Sequence, residues 1–179
     1  MPLPRSSGSH TVVLDTGPLL TYLTLHYLDR TGATDREAII RDVRSGSRYP
    51  FTATEEERFR LLLHRFKRLL TTSPAVAEAL RLREYSLLSR DRWRFRELAL
   101  ERLKDGKVED VHCPLRELCA EEGFRDLICR LGLTDASLIF VAAKERCLLL
   151  TDDRRMFEGL LAGAKPDVRL LGDYLKSPD

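Results

Sequence analysis

Short apolar segments alternate along this chain with longer segments of helical periodicity. Residues 11–15 and 147–151 are compact apolar runs, which are typical of fully buried strands. Residues 55–69 instead carry apolar side chains, among them Phe59 and Leu62, at helical spacing. Because strands that alternate with helices pair in parallel, this pattern predicts an α/β fold: a three-layer α/β/α sandwich with a central, mostly parallel sheet.

The same reading predicts the order of the elements and a single domain. The predicted strands cover residues 11–15, 69–72, 108–112, 147–151 and 168–170. The predicted helices cover residues 19–28, 35–43, 55–69, 74–89, 90–104, 114–130, 135–146 and 153–161. Ser73 and Thr134 are the expected caps of the helices that follow them. Residues 1–10 are predicted to be a loose leader and residues 11–179 one domain.

Composition excludes some functional classes. The 30 Lys and Arg against 28 Asp and Glu give a net charge of only +2, which excludes a strongly basic nucleic-acid coat. No apolar run reaches the roughly 18 residues that a membrane span needs, and the first residues lack the apolar centre of a signal peptide. A soluble cytoplasmic protein without membrane contact is expected.

The four cysteines do not have metal-site spacing. They contain no CxxC pair, and no histidine pair completes a zinc set. Cys119, Cys129 and Cys147 lie in apolar, periodic surroundings, so we expect reduced thiols in the core.

Widely separated acids follow the predicted strands. Asp15 ends the first strand, and Glu78 lies in the first helical turns after the second. Asp135 opens a helix after a glycine, and Asp152 and Asp153 directly follow the strand at 147–151. Since ligands bind beyond the carboxyl ends of the strands of an open parallel sheet, the pattern predicts one acidic site at that edge.

Carboxylates that converge repel one another, and a hard divalent cation removes that conflict. Mg²⁺ and Mn²⁺ prefer oxygen ligands. A cation held by carboxylates lowers the pKa of water and polarises a phosphoryl oxygen, which suits phosphodiester hydrolysis.

Each acid also has a purely structural interpretation. Asp15 could form a turn at a strand end, Glu78 could favour a helix N-terminus, and Asp135 could be a helix cap. Of Asp152 and Asp153, one is expected to be a ligand and the other the cap of the last long helix, with Asp153 favoured as the ligand.

Three hydroxyl residues are candidates for orienting these carboxylates through hydrogen bonds. They are Thr16, Ser73 and Thr151. Ordinary turn and cap roles would explain the same residues equally well.

The triplet Asp15-Thr16-Gly17 also occurs at the catalytic aspartates of aspartic proteases. Those enzymes need two such aspartates facing each other, and this chain has one such triplet. A homodimer would supply a second, but the protease fold is nearly all strand, whereas helical periodicity dominates here. The protease interpretation is therefore rejected.

Three blocks in order, LDTGPLL, TTSPAVAEAL and LTDASLIFVAAKERCLLLTDDRRMF, resemble the PIN-domain family of metal-dependent ribonucleases. The resemblance implies a PIN-like fold that cleaves single-stranded RNA with Mg²⁺ or Mn²⁺. It implies that Asp15, Glu78, Asp135 and Asp153 occupy the four acidic positions, with Asp152 as the alternative fourth acid. Many small members are VapC-like toxins neutralised by an antitoxin protein, and homodimers are common. This chain has a longer segment between Asp15 and Glu78 than the compact toxins.

Basic residues suggest where RNA would bind. Residues 81–104 hold eight Lys or Arg against four Asp or Glu, with Trp93 and Phe95 among them, as well as Tyr85. The alternative is a solvated amphipathic helix with Trp93 and Phe95 in the core. Arg154 and Arg155 follow the predicted metal-binding turn and are the better candidates for phosphate contact.

The leading hypothesis is therefore a Mg²⁺- or Mn²⁺-dependent endoribonuclease. One alternative is a catalytically weak PIN-like scaffold that binds RNA or protein, and another is a DNA-directed or structure-specific nuclease. The apolar helix predicted at 55–69 would supply a homodimer interface, although burial in the monomer explains it equally well.

Overall fold

A computed structural model gives the fold of residues 10–43, 51–84, 89–160 and 166–176. The predictions for residues 1–9 and for Tyr85 lie outside these described residues. His10, the last residue of the predicted leader, is attached to the sheet. Its carbonyl accepts hydrogen bonds from the backbone N–H groups of Lys67 and Arg68 at 2.7 and 3.1 Å.

Five parallel strands form the described part of the sheet. They are β1 (Thr11–Leu14), β2 (Arg68–Thr71), β3 (Val108–Asp110), β4 (Leu148–Thr151) and β5 (Asp167–Leu170). Their spatial order is β3-β2-β1-β4-β5. The chain thus runs outward from β1 to β3 and then returns to the other side of β1, so the strand order reverses between β1 and β4.

Ten helices lie in the described residues. They are α1 (Thr16–Thr31), α2 (Arg36–Val43), α3 (Ala53–His64), α4 (Ser73–Glu84), α5 (Ser89–Lys104), α6 (Leu115–Ala120), α7 (Phe124–Leu131), α8 (Leu133–Glu145), α9 (Arg154–Leu160) and α10 (Leu171–Lys176).

The strands carry apolar side chains on both faces. Val12 and Leu14 of β1 belong to one apolar cluster with residues of α1, α3 and α5. Val13 belongs to a second cluster with residues of α8. Because successive strand side chains point to opposite faces, each face of the sheet is covered by its own helical layer. The predicted three-layer α/β/α sandwich is confirmed.

Three helical segments differ from the prediction. The helix expected at 114–130 is two helices, α6 and α7, because the chain turns through Gly123 in a left-handed conformation with φ of 82°. The helix expected at 55–69 ends at His64, since Lys67 and Arg68 already bond to His10 at the start of the sheet. Helix α10 was not predicted, because it follows β5 directly and has only six residues.

The predicted cap at Ser73 is wrong. Helix α4 begins at Ser73, and the N–H of Val76 donates to the carbonyl of Thr72 at 3.0 Å. Thr72 is therefore the residue that precedes the helix. Pro74, a residue type that favours the first helical position, is the second residue of α4.

The predicted cap at Thr134 is also wrong. Helix α8 begins at Leu133, directly after Gly132, whose φ of 96° favours glycine. Asp135 is consequently the third residue of the helix rather than its first. The carbonyl of Thr134 accepts a hydrogen bond from Ser137 Oγ at 2.7 Å.

The cysteines are free thiols with unequal exposure. Cys147 is buried, and burial raises the pKa of its thiol to about 11. Cys129 is exposed on α7, so its expected place in the core is wrong. Among the residues that the structure describes, no helix combines the length and apolar character needed to cross a membrane.

Candidate acidic site at the carboxyl edge of the sheet

The acids predicted to meet lie where the strand order reverses. Asp15 follows β1, and Asp152 and Asp153 follow β4, which is the neighbour of β1 on that side. The carboxyl ends of two adjacent parallel strands form a crevice at such a reversal, and ligands of open α/β sheets bind there. The sheet topology thus gives these acids a common edge.

Asp15 is held by the first turn of α1 and by β4. Its side chain is buried, with 5% exposure. The Oδ1 atom accepts a hydrogen bond from the backbone N–H of Thr16 at 2.6 Å, which caps α1. The Oδ2 atom accepts one from Thr151 Oγ1 at 2.6 Å. Both carboxylate oxygens are therefore fixed before any ligand binds.

Burial raises the pKa of Asp15 from its ordinary value of 3.8 to about 7. The hydrogen bond from Thr151 opposes this rise, whereas the negative charges of Asp135 and Asp152 add to it. The carboxyl groups of Asp135 on α8 and of Asp152 on the β4–α9 turn are thus close enough to influence the ionisation of Asp15.

Asp135 connects the remaining acids to this group. Burial, followed by the charges of Asp153 and Glu78, raises the pKa of Asp135 to about 6, and the positive charge of Arg155 opposes the rise. Glu78 lies on α4 and Asp153 precedes α9, so acids from four separate segments act on one electrostatic environment.

Asp153 is the residue that caps α9. Its Oδ1 atom accepts from the backbone N–H of Arg155 at 2.7 Å, and its carbonyl accepts from the N–H of Phe157 at 3.1 Å. Asp152 instead lies against Gly17 in the first turn of α1. Asp153 caps the helix and also raises the pKa of Asp135, whereas Asp152 raises the pKa of Asp15. Asp152 and Asp153 therefore both remain candidates for the fourth acidic position.

Gly17 permits the close approach of the β4–α9 turn to α1. A Cβ atom at this position would lie 2.9 Å from Asp152 Oδ2 and 3.2 Å from Asp152 Cβ. Any larger residue would have to displace Asp152. The sequence alone does not indicate this role of Gly17, since a close approach between remote segments leaves no local signal.

The three hydroxyl candidates have different partners. Thr151 bonds to Asp15, whereas Thr16 does so only through its backbone N–H. Thr16 Oγ1 is buried and has no hydrogen-bond partner among the described residues. Ser73 Oγ donates to Asp110 at 2.7 Å and to none of the predicted acids.

Asp110 is a further acid at this edge that the sequence prediction missed. It is the last residue of β3, whereas the predicted strand continued to residue 112 and so placed Asp110 inside it. A second missed feature joins the helices that carry Glu78 and Asp135. The hydroxyls of Thr72 and Ser137 lie 2.9 Å apart, which links the start of α4 to the first turns of α8.

Arg154 and Arg155 are exposed beside the acids. Arg155 Nη2 lies 3.3 Å from Asp153 Oδ2, and Arg154 Nε lies 3.9 Å from Glu158 Oε1. Pairs of this kind in solvent are weak, so both guanidinium groups can exchange their partners for a phosphate.

Helix α5, which carries most of the predicted basic face, packs away from the acids. Phe95 is buried and meets Tyr27 edge to face, with ring centroids 5.8 Å apart. Tyr27 lies twelve residues beyond Asp15 along the sequence, which corresponds to about 18 Å of helix. Trp93 is 74% exposed and stacks with Arg96. The alternative that placed both aromatics in the core is right for Phe95 and wrong for Trp93.

The acids do not form a ready-made metal cage. In the described part of the chain, no group of three or more His, Cys, Asp or Glu side chains is arranged to hold a metal ion. Asp15 and Asp153 use their oxygens for hydrogen bonds to neighbouring residues. What defines the site is therefore shared electrostatics at one sheet edge.

Fold and site together define a class: a three-layer α/β protein with one buried and several half-buried acids that interact electrostatically at the point where the strand order reverses. Comparison of the chain with protein-family models, with curated proteins and with solved structures finds no significant match. The resemblance to PIN domains thus rests on the three sequence blocks.

Proposed function

We propose that this chain is a Mg²⁺- or Mn²⁺-dependent endoribonuclease that hydrolyses phosphodiester bonds of single-stranded RNA. The observation that carries the proposal is the environment of Asp15. This carboxyl group is buried at the strand-order reversal, and the charges of Asp135 and Asp152 help to raise its pKa to about 7. A fold gains no stability from carboxylates that oppose one another's ionisation, so a positively charged ligand is the expected counterpart.

The chemistry of the donors suits a hard divalent cation. All the candidate donors are carboxylate oxygens, and Mg²⁺ characteristically uses one or two of them while retaining water and taking substrate phosphate. Such binding does not require the cage of three side chains that is absent from the described residues. Asp15, Glu78, Asp135 and Asp153 would hold the cation, with Asp152 as the alternative fourth acid. The cation would supply positive charge that activates water and stabilises the reacting phosphate.

The chain's own residues would position the components. Thr151 fixes the orientation of the Asp15 carboxylate through its 2.6 Å hydrogen bond. Arg155 lies close enough to lower the pKa of Asp135, so a phosphate bound to its guanidinium would lie beside the acids. Arg154 precedes it on the same exposed turn of α9.

Cleavage of a labelled single-stranded RNA tests this proposal. The wild-type chain is expected to cleave with Mg²⁺ or Mn²⁺ and to stop when EDTA is added. Asp15→Asn and Asp135→Asn are expected to lower the cleavage rate by at least about 100-fold, because loss of a group that merely orients a metal ligand already costs about 10- to 100-fold. The matched control is Asp126→Asn, which changes an exposed acid on α7 and should cleave at the wild-type rate.

Equal cleavage by the wild-type chain and by a folded Asp15→Asn variant would contradict the proposal. Parallel assays with single-stranded DNA and flap substrates distinguish the ribonuclease from a DNA-directed or structure-specific nuclease.

One observation favours a second candidate, a catalytically weak scaffold that binds RNA or protein. It is the absence, among the described residues, of three acids arranged to hold a metal ion. Calorimetry with Mn²⁺ separates the two candidates. The nuclease predicts saturable Mn²⁺ binding that Asp135→Asn weakens, whereas the scaffold predicts RNA binding without Mn²⁺ binding.

The partners implied by the PIN-like resemblance and the location expected from the composition belong to the same proposal. They are an antitoxin protein, a second copy of the chain and the cytoplasm. A small neighbouring reading frame that begins with a DNA-binding segment would support the toxin role. The apolar residues of α3 give the homodimer little support, because Phe59, Leu62 and Leu63 are buried within the monomer.

A further inference from the structure

A cavity lies between α1, α3, the last turn of α5 and the α5–β3 connection, away from the acidic site. Its volume is about 220 Å³. The α1 residues that line it begin at Tyr22, seven residues beyond Asp15, and extend to Asp29. With a helical rise of 1.5 Å per residue, its α1 wall extends from about 10 to 20 Å beyond Asp15. Lys107 lines it just before β3 begins, so the cavity lies at the amino edge of the sheet.

Three buried polar atoms on the residues that line this cavity lack hydrogen-bond partners among the described residues. They are Tyr22 Oη, His26 Nε2 and Arg102 Nε. Arg102 lies over the Tyr22 ring, with its guanidinium carbon 5.3 Å from the centroid. Burial raises the pKa of the Tyr22 hydroxyl, and the neighbouring Arg102 opposes that rise. Buried polar groups are paired in the great majority of cases, so three such atoms in one cavity point to a bound polar ligand.

The charges at the cavity favour an anion. Arg60 and Asp29 line it and pair with each other, so they largely cancel. Arg102 has one long ion-pair contact, of 3.8 Å, to Asp105. Lys107 has no ion-pair partner within the described residues, and its pKa is lowered by burial and by the charge of Arg102. Two cations thus face the same space, and the negative charges of Glu101 and Asp105, which also act on His26, compensate them in part.

The shape and chemistry of the lining narrow the ligand. Guanidinium, ammonium, imidazole and phenol groups all donate hydrogen bonds to oxyanions, and the first two also supply charge. The cavity is smaller than the usual 300–1,000 Å³ of sites for drug-sized ligands. Leu25, Phe59 and Leu63 give it an apolar wall. We propose that it binds a phosphate group, either as inorganic phosphate or as a small phosphomonoester.

This site does not depend on the proposed nuclease activity, because it uses none of the acids at the carboxyl edge. Its occupant would instead hold α1, α3 and the α5–β3 connection together at the other end of the molecule. The Arg102 and Lys107 side chains would contact the phosphate oxygens, and the Tyr22 hydroxyl would donate one hydrogen bond.

Calorimetric titration of the full chain, in EDTA and at constant ionic strength, tests the proposal with two probes. These are inorganic phosphate and adenosine 5′-monophosphate. The wild-type chain is expected to bind at least one of them at a single saturable site. Lys107→Ala is expected to weaken binding about tenfold, and Tyr22→Phe, which removes only the hydroxyl, about three- to tenfold. Lys104→Ala, which removes an exposed charge of α5 outside the cavity, should bind like wild type.

Nuclear magnetic resonance of the histidine rings locates the binding. The His26 resonances should shift during the titration, while those of the exposed His112 should not. Binding of both probes with equal affinity would assign the site to phosphate itself, and binding of the nucleotide alone to a phosphomonoester. The proposal is overturned if neither probe binds wild type, or if Lys107→Ala and Tyr22→Phe bind as tightly as wild type.

Discussion

Asp15 is more deeply buried than a helix cap requires. Its structural tasks are to cap α1 through Thr16 and to bond to Thr151. Asparagine or serine at an N-cap performs the first task without a charge. A buried carboxylate adds a desolvation cost, which appears here as a pKa of about 7. Retaining that cost is consistent with a site that uses the charge.

Asp15→Asn should make the metal-free protein more stable at neutral pH. The native pKa of about 7 lies above the ordinary value of 3.8, so between those pH values the native state binds more protons than the unfolded state. Stability from this group therefore falls as pH rises through that window. In EDTA, thermal unfolding should give similar stability for wild type and variant near pH 4, and an advantage of about 1–3 kcal/mol for the variant near pH 8.

The raised pKa of Asp135, about 6, acts in the same direction. The comparison between the two proteins therefore measures the burial of the Asp15 charge together with its repulsion by Asp135. An Asp15→Asn variant that is less stable than wild type near pH 8 would show that the charged form of Asp15 stabilises the fold, and would contradict the predicted cost of burying it.

At the level of elements, the site depends on how the β4–α9 turn rests on α1. Gly17 is helical, so alanine would ordinarily favour the helix by about 1 kcal/mol. Here the new Cβ would lie 2.9 Å from Asp152 Oδ2 and 3.2 Å from Asp152 Cβ, and rotation of the Asp152 side chain relieves only the first of these contacts. Gly17→Ala is therefore expected to lower, rather than raise, the midpoint of thermal unfolding, because Asp152 must move from the first turn of α1.

A double-mutant cycle separates the two effects of Gly17→Ala. In an Asp152→Ala background the carboxylate is absent, so the same substitution should cost less, with a coupling of about 0.5–1.5 kcal/mol. Additive changes in unfolding free energy would contradict the contact between α1 and the β4–α9 turn.

Across the whole molecule, the two groups of basic residues lie at different ends. Arg155 is the second residue of α9 and pairs with Asp153 at the acidic edge, whereas Arg94 is on α5 and pairs with Glu97. Helix α5 contacts α1 near Tyr27, far from Asp15. The position of a basic residue relative to the acids, rather than its local charge density, should therefore determine its effect on bound RNA.

Arg155→Ala should weaken binding of single-stranded RNA about three- to tenfold and reduce the salt dependence by about one phosphate contact. Arg94→Ala, the matched control, should leave both nearly unchanged. The backbone N–H of residue 155 still donates its hydrogen bond to Asp153 Oδ1 in the variant, so α9 is expected to remain folded. Fluorescence titrations at several salt concentrations measure both quantities. A larger loss for Arg94→Ala than for Arg155→Ala would place the RNA on α5.

Periodicity alone determined the fold class, because it records how each local segment is buried. The apolar runs form β1 and β4, and the residues that follow these strands lie at one carboxyl edge of the sheet. Asp15 was predictable as a candidate because parallel connectivity fixes which end of a strand a following residue occupies. Asp135 was predictable because the helix that runs back to the start of β4 begins at the same carboxyl edge.

Contacts between remote segments were decided only by the tertiary structure. Whether Asp152 or Asp153 caps α9, whether Ser73 reaches Asp15 or Asp110, and whether Gly17 meets a side chain all depend on distances across the sheet edge. The same holds for Tyr22, His26 and Arg102, which are unremarkable in sequence and share a cavity only after α1 and α5 pack. A sequence pattern reports each residue's own burial, whereas a site is defined by the burial and charge of its neighbours.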